Sequence, residues 1–287
     1  MQPRLSGKLS ATSEVIIMLS EWFGWWDYTF MRYAFAAVLL IMPLFGMLGT
    51  LVVNNGMAFF SDALGHSALT GVGIGVLLGM TDASPVMIGF AIVFALLMNK
   101  IRHARISSTD TVIGVFSACG IALGLVILSR GGGFAKYQSL LIGDILSISP
   151  AELWVLAGTL LVTIVIWLLC FNQFHAISIS PALAHSKGLP VRLLDNIFVV
   201  LIAIVVMMAI RWVGLLIINA MLILPAAAAR NVSGSMRGYH LTTLIFGLFS
   251  GILGLILSYM NAVAAGPMIV VVAGALFFGT YLIRAER

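Results

Sequence analysis

The chain has 287 residues, of which 61% are hydrophobic and only 9% charged, and its mean hydropathy is +1.13. Those values lie far from the composition of a water-soluble domain and identify a polytopic membrane protein. The formal charge of +5 does not point to nucleic acid, because most basic residues fall between apolar runs, where they set orientation in a bilayer. Cys119 and Cys170 lie inside apolar runs with no CxxC. A disulfide framework and a thiolate zinc site are excluded, and both cysteines read as packing residues.

Residues 1–13 are polar, and Glu14 to Tyr28 mixes apolar residues with Glu21, Trp22, Trp25, Trp26 and Asp27. That composition suits a segment at headgroup level, or an ordinary helix packed on the bundle. Ser20 and Glu21 interrupt the apolar stretch too early for a signal peptide. The expected organisation is an interfacial segment over 1–30 and one transmembrane domain over 31–287.

Apolar runs follow near 31–53, 58–80, 85–99, 111–128, 151–171, 196–212, 213–229, 239–260 and 267–283. A span takes about 20 apolar residues, so the fold class is all-α, a transmembrane bundle of eight or nine spans. The count turns on 196–229, where two runs meet without a polar loop at Arg211, Trp212 and Gly214, either as a tight extracellular turn or as a broken helix. Lys100, Arg102 and Arg105, then Lys187 and Arg192, then Arg230 and Arg237, and finally Arg284 and Arg287 occupy alternate connections, which therefore face the cytoplasm. Glycines recur every fourth residue at Gly71, Gly75 and Gly79, at Gly120 and Gly124, and at Gly247 and Gly251. Such ridges allow close helix approach in lipid, where no hydrophobic drive acts between helices.

The segment Phe60-Ser61-Asp62-Ala63-Leu64-Gly65-His66-Ser67 places a carboxylate and an imidazole in an otherwise apolar span. A charged Asp near a bilayer centre costs at least about 2.5–3.5 kcal/mol, so it needs a partner or a role. Residues four apart share one helix face, about 6 Å along the axis, so Asp62 and His66 can bind one ion together. Carboxylate and imidazole suit zinc first, with manganese or ferrous iron permitted. Two donors make half a site, and a twofold dimer would bring four to its axis. The competing reading is structural: an Asp–His hydrogen bond, or Asp62 capping its helix.

Asp110 is expected to cap the helix it begins, Asp144 to lie on a short re-entrant or surface helix, and Asn219 to bond across helices. His103, His175, His185 and His240 are expected to be solvated. Ser180-Pro181 opens, and Gly188 closes, a short cytoplasmic helix that reads as a docking element or a plain connector. No GxxxxGK[ST], GxSxG or HExxH motif occurs, so neither nucleotide hydrolysis nor catalysis is expected in this chain.

The segments Phe60 to Ser67, Asp110-Thr111-Val112-Ile113-Gly114, Leu141-Ile142-Gly143-Asp144-Ile145-Leu146, Ile179-Ser180-Pro181-Ala182-Leu183-Ala184, Val213-Gly214-Leu215-Leu216, Leu224-Pro225-Ala226-Ala227-Ala228-Ala229 and Ala265-Gly266-Pro267 occur in order. With them the chain resembles the membrane permease subunit of bacterial zinc/manganese/iron uptake ABC transporters, the ZnuB-like metal permease family, from about residue 31 onward. The resemblance implies a multi-pass protein of the bacterial inner membrane that imports a divalent metal ion, zinc, manganese or iron, with no permanently bound cofactor; the carboxylate–imidazole pair favours zinc among them. It implies as partners a separate ABC ATPase subunit, which binds the ATP, an extracytoplasmic metal-binding protein, and a second permease subunit, as homodimer or paralogous heterodimer. It makes Asp62 and His66 the metal site. It makes the short helix a coupling helix inserted in the ATPase, with Ser180, Pro181, Ala184, Lys187 and Gly188 as its defining residues. The extension before residue 31 and Asn219 depart from the family pattern. Alternatives from other classes are an ion-coupled secondary metal transporter, which would use broken helix pairs and no ATPase, and an intramembrane metalloenzyme, which would need a third ligand and an open water position. Since ligands bind as deprotonated groups, acidification is expected to weaken uptake.

Overall fold

The computed structural model describes residues 24–104, 107–130 and 139–285. They form α1 (Thr29–Asn54), α2 (Phe60–Leu77), α3 (Ser84–His103), α4 (Thr109–Arg130), α5 (Ser139–Ile142), α6 (Pro150–Ile179), α7 (Pro181–Ser186), α8 (Val191–Val213), α9 (Ile218–Val232), α10 (Met236–Asn261) and α11 (Ala265–Ala285), with no strand among the described residues. Each of the nine apolar runs becomes a helix, and α5 and α7 are connectors.

Among the described residues seven helices are long and apolar enough to cross a membrane; the two exceptions among the nine are α2, with 18 residues, and α9, with 15. Both are mostly enclosed by protein rather than presented to lipid. Only Asp62, His66, Ile74, Val76 and Leu77 of α2 escape burial. A helix lined by other helices does not need a full lipid-facing length, which is why apolar length alone reads these two elements poorly.

Glycine positions the neighbours of α2. A Cβ on Gly120 would lie 3.3 Å from the Ser67 backbone, one on Gly124 2.7 Å from Leu69, and one on Gly73 2.8 Å from Ile127. The paired numbers rise together, so α2 and α4 run parallel. Against α3 they run oppositely, since a Cβ on Gly71 would lie 2.7 Å from Met87 and one on Gly75 2.8 Å from Ala83. Gly124→Ala is therefore expected to cost about 1–3 kcal/mol by overpacking, read as a lower midpoint of thermal unfolding in detergent. An unchanged midpoint would show that the α2–α4 contact is slack.

At one end of the bundle a cavity of about 440 Å³ gathers Asn55, Arg102, His103, Ser107, Ser108, Thr109, Ile177, Pro181, Val191 and Asp195. The connections after α1, α3 and α6 therefore share one side, as the alternating basic residues require for the cytoplasmic face.

The join between α8 and α9 is a turn at Gly214, whose φ of +92° ends α8. The α5 helix and the residues just after it cross this turn. Leu215 N–H donates to Leu140 O at 2.9 Å, Leu216 N–H to Leu141 O at 3.1 Å, and Asp144 N–H to Arg211 O at 3.3 Å. Asp144 caps the 3-10 turn Ile145–Ser147 by accepting from Leu146 N–H. Of the segment 1–30, residues 1–23 lie outside the described residues. Gly24–Asp27 is a 3-10 turn whose buried Trp25 packs on Trp26 and on Phe35 of α1.

Candidate metal centre

Asp62 lies in the first turn of α2, where unpaired amide groups favour a carboxylate, and His66 follows one turn later. Phe59 occupies the N-cap and no side chain caps this helix, so Asp62 is not a capping residue. The distance from Asp62 Oδ2 to His66 Nε2 is 3.4 Å, with the side chains 34% and 20% exposed. That is too long for a strong hydrogen bond. It matches the separation of two ligand atoms on one tetrahedral ion, about 3.3 Å for bonds of about 2.0–2.1 Å. Elsewhere in the first half of α2 every side chain is buried, so these two form its accessible line. Among the described residues no group of three or more His, Cys, Asp or Glu side chains is placed to hold an ion. One chain thus offers two donors here.

Beside the pair, Ser61 Oγ donates to Asn219 Oδ1, tying the start of α9 to α2. Ile218 also touches the position a Cβ on Gly65 would take. Asn219 is thereby an interhelical bond rather than a free donor facing the pair. Asn219→Ala is expected to cost about 1 kcal/mol and to leave metal binding by the purified protein intact. Loss of binding with unchanged stability would instead make Asn219 a ligand.

Ser180 ends α6 and caps α7, accepting from Leu183 N–H at 3.3 Å. Pro181 is the first residue of α7, Lys187 its C-cap, and Gly188 turns the chain with φ +78°. Ala184 alone of α7 is buried, at 1% exposure, so this helix offers most of its surface outward.

Several polar residues stand differently from the sequence expectation. Ser108, not Asp110, caps α4, accepting from Thr111 N–H at 3.2 Å, while Asp110 is exposed in the first turn. Of the four histidines expected to be solvated, His103 and His185 are exposed. His175 is 8% exposed, and its Nε2 lies 2.6 Å from His240 Nε2, with Trp167 and Phe171 packed around both rings. The reason is length: α6 continues to Ile179, past the apolar run that ends near 171, so Asn172 to His175 are helical, and Phe174 and His175 are buried against neighbours. His103 Nε2 lies 3.1 Å from Asp195, which also receives Arg102 Nη2 at 2.5 Å. Asp195 escaped the sequence reading because it stands one residue before an apolar run and looks like loop. The adjacent Asn196 was the one available signal.

The chain is similar to the manganese transport system membrane protein MntC of Listeria monocytogenes, 28% identical with 92% of this chain and 94% of the relative covered. It is similar to the high-affinity zinc uptake system membrane protein ZnuB of Haemophilus influenzae, 30% identical over 84% and 92%. Among solved structures it is similar to PsaBC from Streptococcus pneumoniae in complex with Fab, with a TM-score of 0.80, 27% identity, and coverage of 92% of this chain and 95% of that one. The ABC 3 transport family matches residues 27–284, which take in all but the last residue of the bundle's helices, so the chain is a multi-pass membrane permease belonging to the ABC 3 transport family.

Proposed function

We propose that this chain is the membrane half of an importer that carries a divalent transition-metal ion into the cytoplasm, powered by ATP hydrolysis in a separate subunit. The observation that carries the proposal is the Asp62–His66 pair, 3.4 Å apart and partly exposed on an otherwise buried stretch of helix. A carboxylate and an imidazole replace part of the ion's water shell and select against monovalent ions by charge and geometry. A second permease chain, identical or paralogous, supplies a second pair, which brings the donors to the four that zinc prefers. An extracytoplasmic binding protein delivers the ion. Residues Ser180 to Gly188 dock on the ATPase, and closure of the ATPases turns the bundles so that the site opens inward.

Zinc is the first cargo to test because of the imidazole, and manganese the second because the carboxylate accommodates it and relatives are named for each metal. The test is uptake into proteoliposomes holding this chain, its ATPase and its binding protein. ATP-dependent accumulation of one metal, suppressed by excess of the other in proportion to affinity, is expected. Uptake by the purified chain alone, driven by an ion gradient, would replace this reading with the ion-coupled carrier.

A further inference from the structure

We infer that Asp195 is a positioning residue for transport: it locks α8 to α3, so that displacement of α7 reaches the helix bearing Asp62 and His66. This rests on the importer reading above and adds to it the route by which the docking helix acts on the ion site.

The chain leaves α7 through Gly188 and enters α8 at Val191, with Val191 N–H donating to Leu189 O at 2.8 Å. Four residues on, the Asp195 carboxylate is 7% exposed. Two groups at the end of α3 face it, Arg102 Nη2 at 2.5 Å and His103 Nε2 at 3.1 Å. The next residue repeats the link, since Asn99 Nδ2 donates to Asn196 Oδ1 at 2.9 Å. The acceptors on α3 also orient these two groups, Arg102 Nη2 donating to Asn99 Oδ1 at 2.8 Å and His103 Nδ1 lying 2.8 Å from Asn99 O. A carboxylate this enclosed cannot leave the Arg102 guanidinium without a large desolvation penalty, so α3 and the first turns of α8 move as one body. From α3 the contact continues directly onto α2 through Met87 against Gly71 and Ala83 against Gly75, too tight to slide.

The surroundings fit a joint that shifts. The cluster borders the cavity of about 440 Å³ that also reaches Pro181 of α7, so the space for movement lies between the docking helix and the lock. Among the described residues Arg102 Nε is buried without a hydrogen-bond partner. A purely stabilising ion pair would affect folding of the chain, whereas a lock of this kind affects how many ions move for each ATP consumed.

The experiment uses the intact complex in proteoliposomes and measures ATP hydrolysis and metal uptake together. For Asp195→Asn, hydrolysis within about twofold of wild type and a fall of about tenfold in ions delivered per ATP are expected, the size of an ordinary coupling between sites. Arg102→Gln should reproduce the fall, and the double variant should be no worse than either alone, because each single change already breaks the same link. Asp195→Glu, which keeps the charge, should recover most of the ratio. Should Asp195→Asn not assemble, Arg102→Lys keeps the charge but loses the planar guanidinium whose Nη2 reaches both Asn99 and Asp195, and a lowered ratio is again expected. An unchanged ratio in the assembled variants overturns the role of Asp195 while leaving the importer reading intact. Absence of metal uptake by the wild-type complex overturns the importer reading and this role with it.

Discussion

Asp62→Asn and His66→Ala are each expected to abolish high-affinity metal binding while leaving the protein as stable as wild type. Removing an outer-shell partner typically lowers metal affinity about 10–100-fold, and removal of a donor atom itself exceeds that. The stability half of the prediction follows from the surroundings. Among the described residues neither side chain makes a hydrogen bond, and each is partly exposed, so neither anchors a neighbouring helix. Substitutions of that kind usually change stability by no more than about 0.5 kcal/mol. The double variant should bind no worse than the weaker single one, since either change already leaves an ion with too few donors. Isothermal titration with zinc and with manganese, beside thermal unfolding of the same preparations, reads both halves. Unaltered binding in the two single variants would remove the metal centre from this helix, and a large fall in stability would return the pair to a structural role.

What the sequence made legible follows from which physical signals are local. Nine helices could be read because lipid demands uninterrupted apolar runs, and Asp62 and His66 stood out because a polar group in such a run is costly. The α7 connector was legible from Ser180, Pro181 and Gly188, each acting locally, Ser180 through its side-chain cap and the other two through backbone geometry. Groups at the ends of runs were not. His175 and Asp195 sit where an apolar stretch gives way to polar residues, and composition cannot tell whether the helix continues, as α6 does to Ile179, or stops. Their partners His240, Arg102 and His103 lie on other helices, so the pairings exist only in the packed bundle. The short lengths of α2 and α9 have the same origin, because an element shielded by its neighbours obeys their dimensions rather than the bilayer's.

The contact between Gly143 and Gly214 is the most distant from any local signal, and it carries the second large effect. Gly214 has φ +92° and ψ 146°, a conformation that L side chains rarely adopt. A Cβ there would also fall on the carbonyl of Ile142, while one on Gly143 would fall on the backbone of Val213 and Gly214. Two backbones therefore cross with no side chain between them, which lets Leu140 and Leu141 accept from Leu215 and Leu216 at the break between α8 and α9. Those bonds satisfy donors that an interrupted helix would otherwise leave bare among apolar neighbours. The turn also sets where α9 begins, and with it Ile218 and Asn219 against α2. Gly214→Ala combines a forbidden backbone conformation with overpacking, at about 1–3 kcal/mol each, so a loss of about 2–6 kcal/mol is expected. Gly188→Ala separates the two contributions: its φ is +78°, yet nothing lies within 4 Å of the added carbon. It should carry only the backbone penalty of about 1–2 kcal/mol. Thermal unfolding of the two variants in one detergent compares them directly, and equal, small losses would mean that the crossing at Gly214 does not hold the α8–α9 turn in place.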